Sequence, residues 1–252
     1  MFSEDITAAG LAAKKKSDFL KKNPLGYFLF AMLAGAYIGF GVILTNVIGF
    51  QLDGAPATKL LQGLTFGVGL SLVVIAGAEL FTGNNFVMMV GVLKKTVSVR
   101  GALLLWLISW IGNLAGSAVL SLLYVGTGLP QGGVAAYMQT AALAKISAGP
   151  LPLLTRGILC NVLVCLAVWC GFRAKTEAGK LVMVVWCLLA FITTGFEHCV
   201  ANMTLFTTVL FCDPAAIPVT GVLYNLLLVT LGNMIGGIFF VALPYFIGGK
   251  EK

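Results

Sequence analysis

Charged side chains are scarce: they make up 10% of the 252 residues, against 59% apolar residues and a mean hydropathy of +1.00. Soluble domains average about 25% charged and about 45–50% apolar residues. The scarcity of charge excludes an ordinary cytosolic enzyme, a disordered chain and a nucleic-acid-binding protein. The 16 lysines and arginines stand in short clusters between long uncharged runs, which is typical of a polytopic membrane protein.

Metal- and haem-binding motifs are also missing. The six cysteines form no CxxC or CxxCH pattern and lie in or beside apolar runs, so we expect small packing residues, with no metal and no cofactor. A single histidine cannot supply a bis-histidine haem. We therefore expect that the protein is not an enzyme. A membrane-embedded enzyme remains the rival hypothesis from a different functional class. The N-terminus opens on charged residues, so we expect no cleavable signal peptide.

Six apolar runs are long enough to cross a hydrocarbon layer of about 30 Å, which requires about 20 helical residues. Two runs are overlong and carry ionisable residues near their middle, Glu79 in one and Glu197 with His198 in the other. The predicted spans are Leu25–Phe50, Leu60–Leu93, Gly101–Val125, Leu153–Phe172, Leu181–Phe211 and Val219–Ile247. We expect an all-α membrane domain over residues 23–252, an amphipathic helix over residues 1–22 and a long loop over Gly126–Pro152.

Basic residues predict the orientation of these spans. With both termini on one side, thirteen basic residues lie on that side and only Lys59, Lys145 and Arg156 on the other. Cytoplasmic loops carry an excess of lysine and arginine, so we expect cytoplasmic termini. The thirteen are Lys14, Lys15, Lys16, Lys21, Lys22, Lys94, Lys95, Arg100, Arg173, Lys175, Lys180, Lys250 and Lys252.

The two overlong runs share a motif. Residues Gly77–Asn84 and Gly195–Asn202 both read G-x-E-x-x-x-x-N, at an offset of 118 residues. Residues Gly112–Gly116 and Gly232–Gly236 both read G-N-x-x-G, at an offset of 120. The chain is therefore predicted to consist of two three-span halves, about 23–125 and 153–247. An odd number of spans per half forces the halves into opposite orientations.

The shared motif predicts interrupted helices. A carboxylate at mid-membrane costs about 2.5–3.5 kcal/mol on insertion scales, and a helix break leaves unpaired backbone groups that are tolerated only inside protein or beside a cavity. We therefore expect Glu79 and Glu197, with Asn84 and Asn202, to support the broken backbone. A proton-carrying role for the two glutamates is the alternative.

Three segments carry a resemblance to a known family. Ala78–Asn84, Asn161–Trp169 and Gly195–Met203 resemble the formate/nitrite transporter family, and the string G-F-E-H-x-x-A-N-M is the most specific of them. Within that family the chain most resembles the clostridial hydrosulfide channel branch. The resemblance implies an aquaporin-like protomer with spans two and five broken. It also implies a homopentamer with one pore per protomer in a bacterial inner membrane.

The resemblance also assigns roles to residues. It implies that His198 is the central pore residue, that Thr82 lies on the segment interrupting span two, that Asn161 lines the chamber and that Lys145 attracts anions at one mouth. An intramembrane histidine supports a pathway role independently, since its ordinary pKa of about 6.5 allows a change of charge near neutral pH. The constrictions implied by the resemblance are formed by Phe66, Leu70, Leu80, Phe81, Val164 and Phe191.

The sequence thus predicts a channel for small monovalent anions, with hydrosulfide favoured and formate, nitrite or chloride possible. A proton-coupled carrier of the same family remains open, as does transport of the anion either bare or as its neutral acid. A water channel of the aquaporin type is disfavoured because the only Asn-Pro pair, Asn23-Pro24, precedes the first span. A scaffolding protein would leave the paired helix breaks unexplained. The resemblance also implies that the N-terminal helix takes part in gating.

Overall fold

The computed structural model describes residues 2–249, and every regular element in that range is helical. Within residues 2–249, six helical segments are long and apolar enough to cross a membrane, as the sequence predicts. The α-helices are α1 (Ser3–Lys22), α2 (Pro24–Gln51), α3 (Thr58–Leu72), α4 (Phe81–Leu93), α5 (Val99–Gly126), α6 (Gly132–Ile146), α7 (Pro150–Arg173), α8 (Glu177–Thr194), α9 (Cys199–Cys212), α10 (Val219–Gly237) and α11 (Leu243–Gly248).

Spans two and five are broken, which confirms the prediction. The second span runs through α3 and a π-helical turn, Val73–Gly77, and resumes as α4. The fifth consists of α8 and α9. Both breaks begin at a glycine with a left-handed backbone, Gly77 at φ +84° and Gly195 at φ +78°. Only glycine adopts this conformation without a steric penalty, so it commonly ends a helix.

Glycines of the repeated G-N-x-x-G motif bring helices together. In the first half α5 packs on α2, and a Cβ at Gly116 would collide with the carbonyl oxygen of Met32. In the second half α10 packs on α7, and a Cβ at Gly236 would collide with the carbonyl oxygen of Ile158. Small residues at such crossings allow close backbone packing in membranes. The matching contacts fit the inverted repeat.

The expectation of a loop over Gly126–Pro152 is wrong, because that stretch contains the 15-residue helix α6. It contains five alanines and other helix-forming residues, but the glycines and prolines on either side of it are typical of a loop. Lys145 therefore lies in the last turn of a helix. Lys250 and Lys252, counted above among the basic residues, lie outside the described residues.

The helices α1 and α6 lie at opposite faces of the protomer. We call these the α1 face, which also carries the α4–α5 and α7–α8 connections, and the α6 face, which carries the α2–α3 and α9–α10 connections. Helix α1 packs against α4, and Thr96 donates a hydrogen bond to the carbonyl oxygen of Gly10 (2.8 Å). At its start, the guanidinium of Arg173 lies 4.6 Å from the ring centroid of Phe2.

Candidate permeation site

The two broken helices meet at the centre of the protomer. Thr82 is the second residue of α4 and His198 caps the start of α9. The Oγ1 atom of Thr82 lies 2.9 Å from Nε2 of His198, and both residues are buried. The N-terminal ends of α4 and α9 thus point toward one place. Helix N-termini carry partial positive charge, so this centre is suited to an anion.

The hydrogen bonds of His198 fix the position of its proton. Its Nδ1 atom accepts a hydrogen bond from the backbone N–H of Ala201 (3.1 Å). A neutral imidazole that accepts at Nδ1 carries its hydrogen on Nε2, so Nε2 donates to Thr82 Oγ1. The Thr82 hydroxyl hydrogen then remains available to donate elsewhere. The ring of Phe191 stacks on His198 with centroids 6.0 Å apart.

Two asparagines hold the interrupted backbone. The side-chain amide of Asn113 donates to the carbonyl oxygens of Ala31 (2.7 Å) and Glu79 (3.0 Å), and its Oδ1 accepts from the N–H of Phe81 (2.9 Å). Asn113 therefore joins α2, the break and the start of α4. Asn113 and the second asparagine, Asn233, are both fully buried. Backbone groups at such positions need hydrogen-bond partners within the protein.

Asn233 repeats this arrangement in the second half. It donates to the carbonyl oxygens of Gly157 (2.8 Å) and Glu197 (2.9 Å) and accepts from the N–H of Cys199 (3.0 Å). Asn113 and Asn233 occupy the same position of the repeated G-N-x-x-G motif. The inverted repeat thus builds both helix breaks in the same way.

The carboxylate of Glu79 forms an ion pair on the α1 face. Both of its oxygens lie 2.7 Å from Nζ of Lys16 on α1. It also accepts hydrogen bonds from the hydroxyl of Tyr27 (3.1 Å) and the amide of Asn84 (3.1 Å). The Asn84 amide is also 3.2 Å from the hydroxyl of Ser109. Both carboxylate oxygens of Glu79 therefore have partners within the protein.

The carboxylate of Glu197 forms the corresponding ion pair on the α6 face. Its Oε1 atom lies 2.8 Å from Nζ of Lys145, and its Oε2 atom accepts from the amide of Asn202 (2.7 Å). The fully buried Asn225 completes the network. It accepts from Asn202 (2.9 Å) and donates to the backbone carbonyl of Lys145 (3.0 Å). Asn225 thus ties the end of α6 to α9.

Each ion pair borders a cavity. The cavity on the α1 face has a volume of about 430 Å³ and is lined by Lys16, Glu79, Leu70 and Leu80 among others. We call it the α1-side vestibule. The cavity on the α6 face has a volume of about 110 Å³ and reaches from Lys145 to His198. We call it the α6-side vestibule.

Apolar side chains stand between the two vestibules. Phe66 and Phe191 line the α6-side vestibule, with ring centroids 5.6 Å apart in an edge-on arrangement. Leu70 and Leu80 line the α1-side vestibule, and all four side chains are buried. An ion crossing between the vestibules must therefore lose most of its hydration, at a large cost in free energy.

The structure places four of the predicted pore residues outside the linings of both vestibules, and one of them is Thr82, whose contact with His198 is described above. Phe81 lines an apolar groove on the lateral surface. Val164 is buried and lines neither vestibule. The amide of Asn161 donates to the backbone carbonyls of Thr82 (3.3 Å) and Asn233 (2.6 Å). Phe81 and Asn161 therefore adjoin Thr82, the first along the chain and the second through this hydrogen bond. Among residues 2–249, no group of three or more histidine, cysteine or acidic residues can hold a metal ion.

Comparison with known proteins identifies the family. The family model described as "Formate/nitrite transporter" matches residues 3–247. The chain belongs to the formate/nitrite transporter family. The nitrite transporter NirC of Salmonella typhimurium is 42% identical, over 97% of this chain and 91% of that protein. The solved structure titled "FNT family ion channel" has a TM-score of 0.93 at 40% identity, covering 98% of this chain and 99% of that one.

A second solved structure that resembles this chain is titled "Pentameric formate channel with formate bound". It matches with a TM-score of 0.80 at 31% identity, over 90% of this chain and 98% of that chain. These matches confirm the predicted fold, a six-span protomer with an inverted repeat and broken second and fifth spans. The chain is accordingly a multi-pass membrane protein of a transporter family.

Several residues of the site escape sequence reasoning. Lys16 is one of three consecutive lysines, and nothing in its pattern distinguishes it from a solvated charge. Asn225 lies within an apolar span without a repeated motif around it. Asn113 and Asn233 could have been found, because an asparagine repeated at an offset of 120 residues within two spans needs partners. Sequence reasoning assigned the close packing of their motifs to the glycines and overlooked the amides.

Proposed function

We propose that the chain is a channel for small monovalent anions, with one pore in each protomer of a homopentamer. The observation that carries this proposal is the meeting of Thr82 and His198 between two vestibules that each contain a lysine. The path would run from Lys16 past Leu70 and Leu80 to His198, and then past the phenylalanine pair to Lys145.

Charge along this path supports an anion as the permeating species. Each lysine is about one-quarter exposed, so it keeps contact with water while paired to a glutamate. Exposed charge at a mouth raises the local concentration of the opposite ion. At the centre, the N-termini of two half-helices favour negative charge, as in other transporters with discontinuous helices.

The centre supports permeation assisted by hydrogen bonds. His198 is neutral in this arrangement, because a proton on Nδ1 would face the N–H of Ala201. The Thr82 hydroxyl is then the donor that we assign to the passing anion. A weak acid can also shed its charge by protonation and pass as a small neutral molecule. A proton-coupled carrier is the alternative that this second route would support.

The substrate class is a set of small anions, and the names of the relatives cited above include nitrite and formate. The preference for hydrosulfide remains a prediction from the sequence. The test is flux of hydrosulfide, formate, nitrite and chloride into proteoliposomes, with wild type beside His198→Asn. Chloride is the control, because it has no neutral acid at neutral pH.

We expect selective flux of one or more of these anions and a change in rate or selectivity in His198→Asn. Comparable flux of chloride would favour passage of the bare anion, whereas exclusion of chloride with acid-dependent flux of the others would favour the carrier. If no anion moves under either a voltage or a pH gradient, the channel proposal is wrong and the membrane-enzyme hypothesis returns.

Membrane placement completes the proposal. We place α1 and both termini on the cytoplasmic side of a bacterial inner membrane, because most basic residues lie on that side. The pentameric formate channel cited above supports the five-fold assembly. We retain residues 1–22 as an amphipathic helix attached to one membrane domain, residues 23–252, with half-repeats at about 23–125 and 153–247.

A further inference from the structure

A lateral groove separates α5 from α10. It has a volume of about 520 Å³, and its walls are almost entirely apolar. The indole N–H of Trp110 donates to the hydroxyl of Thr230 (3.0 Å), so the two polar groups at the middle of the groove pair with each other. The walls include Leu103, Leu107 and Trp110 on α5 and Leu223, Leu227 and Thr230 on α10.

The groove lies on the symmetry axis of the inverted repeat. The three named wall residues of α5 and the three of α10 correspond at the repeat offset of 120 residues. A groove centred on this axis lies midway along the membrane-spanning helices α5 and α10. The four leucines named above are all more than half exposed in the protomer, Leu107 at 55% and Leu227 at 63%. These walls therefore suit an apolar occupant.

One end of the groove carries a charge that the other lacks. Arg100, Leu103, Leu107 and Trp110 follow at intervals of three, four and three residues, which places them on one face of α5. Arg100 is exposed at the α1 face, and no ion pair involves it among residues 2–249. The residue at the corresponding position of α10 is Thr220.

The distances match half of a bilayer. Ten residues of helix separate Arg100 from Trp110, or about 15 Å at about 1.5 Å per residue. The hydrocarbon core of a bilayer is about 30 Å thick. A phosphate at Arg100 thus places an acyl chain along the groove as far as the membrane midplane, where the Trp110–Thr230 pair lies.

We propose that this groove binds one acyl chain of an anionic phospholipid from the leaflet on the α1 face, with its phosphate paired to Arg100. The floor of the groove includes Phe81 and Trp106. Phe81 precedes Thr82 in the chain, and Trp106 donates to the backbone carbonyl of Asn84 (3.0 Å). The bound acyl chain therefore lies against the back of the segment that forms the pore centre.

Site-specific photocrosslinking tests this proposal without relying on transport. Benzoylphenylalanine replaces Leu107 in the full chain, which is reconstituted in phosphatidylcholine with phosphatidylglycerol and illuminated. The same probe at Leu104, which is 52% exposed and lies outside the groove lining, is the matched control. Intact-protein mass spectrometry then identifies the adducts. We expect position 107 to be enriched in phosphatidylglycerol adducts relative to position 104.

Charge variants test the headgroup contact. Arg100→Gln is expected to lower the phosphatidylglycerol enrichment at position 107 about fivefold, whereas Lys15→Gln, an exposed lysine on the same face, leaves it unchanged. Crosslinking of position 107 to a second copy of the chain would overturn the proposal by showing that protein fills the groove. Equal enrichment at positions 107 and 104, or no lipid adduct at position 107, would also overturn it.

Discussion

Replacing Asn233 with alanine is expected to destabilise the membrane domain by about 2–5 kcal/mol. The substitution removes two donated hydrogen bonds and one accepted hydrogen bond at the fifth-span break. It leaves two buried backbone groups without a partner, the carbonyl of Glu197 and the N–H of Cys199, because the carbonyl of Gly157 also lies in the backbone ladder of α7. An unsatisfied buried group costs about 1–3 kcal/mol in soluble proteins, whereas hydrogen bonds measured in a membrane protein average about 0.6 kcal/mol. Three bonds at the membrane average give about 2 kcal/mol, and two unsatisfied groups at about 2.5 kcal/mol each give about 5 kcal/mol.

The assay is reversible unfolding of the purified protein in mixed micelles, monitored by circular dichroism. Asn46→Ala is the matched control, since the Asn46 amide donates within its own helix, to the carbonyl oxygen of Val42 four residues earlier (2.8 Å). That carbonyl also lies in the backbone ladder of α2, so we expect a loss of less than about 1 kcal/mol. Asn113→Ala is expected to match Asn233→Ala, because the repeat places it in the equivalent contacts.

A loss no greater than that of Asn46→Ala would refute the reasoning that these amides hold the breaks. A large effect in one half of the repeat alone would show that the two breaks are not energetically equivalent. Asn233→Asp keeps an acceptor for the N–H of Cys199 but removes the two donors. We therefore expect it to be destabilised as well.

Three further predictions concern the vestibules and α1. Asn225→Ala frees the end of α6, so we expect weaker apparent affinity for anions added on the α6 face with little change in maximal flux, measured as flux against concentration. Lys145→Gln should raise the half-saturating concentration roughly tenfold for anions added on the α6 face at low ionic strength, and Lys16→Gln should have the same effect for anions added on the α1 face. Flux measured in oriented proteoliposomes distinguishes the two faces. An equal effect of either variant on both faces would contradict the assignment of one lysine to each vestibule. The hydrogen bond from Lys14 lowers the pKa of Asp18 below its ordinary value of 3.8. The stabilisation from charged Asp18 is present above pH 3.8 and is lost as the pH falls through the lowered pKa. Asp18 is therefore charged throughout the range from about pH 5 to pH 7, and Asp18→Asn should leave the pH profile of flux in that range unchanged. A shifted profile would contradict this prediction.

Much of the fold is predictable because the bilayer imposes strict rules on sequence. A span needs a long apolar run, and an ionisable residue inside it needs a reason. Glu79, Glu197 and His198 break this pattern visibly, and the glycines before them supply the left-handed residues that end a helix. Repetition of the same motif in both halves then predicts the inverted arrangement.

Helix α6 and the partner of Glu79 were not predictable in this way. Helix α6 is short and lies at a membrane face, so no hydropathy rule requires it. Lys16 meets Glu79 across 63 residues of chain, and three adjacent lysines give no indication of which one turns inward. Such pairings depend on how α1 packs against α4, which is a property of the folded protein.

The structure also shows that the repeat extends beyond the apolar spans. Helix α1 precedes the first span of one half and α6 precedes the first span of the other, and each carries a lysine paired to the glutamate of its own half. Lys16 and Lys145 are 129 residues apart, so the offsets of 118 and 120 residues do not align them. The residues that complete the two hydrogen-bond networks also differ. Tyr27 donates to Glu79 in one network, whereas Asn225 accepts from Asn202 in the other. Because the two faces present the same charged pair on different scaffolds, substitutions at each lysine can change access from one face while leaving the Thr82–His198 centre intact.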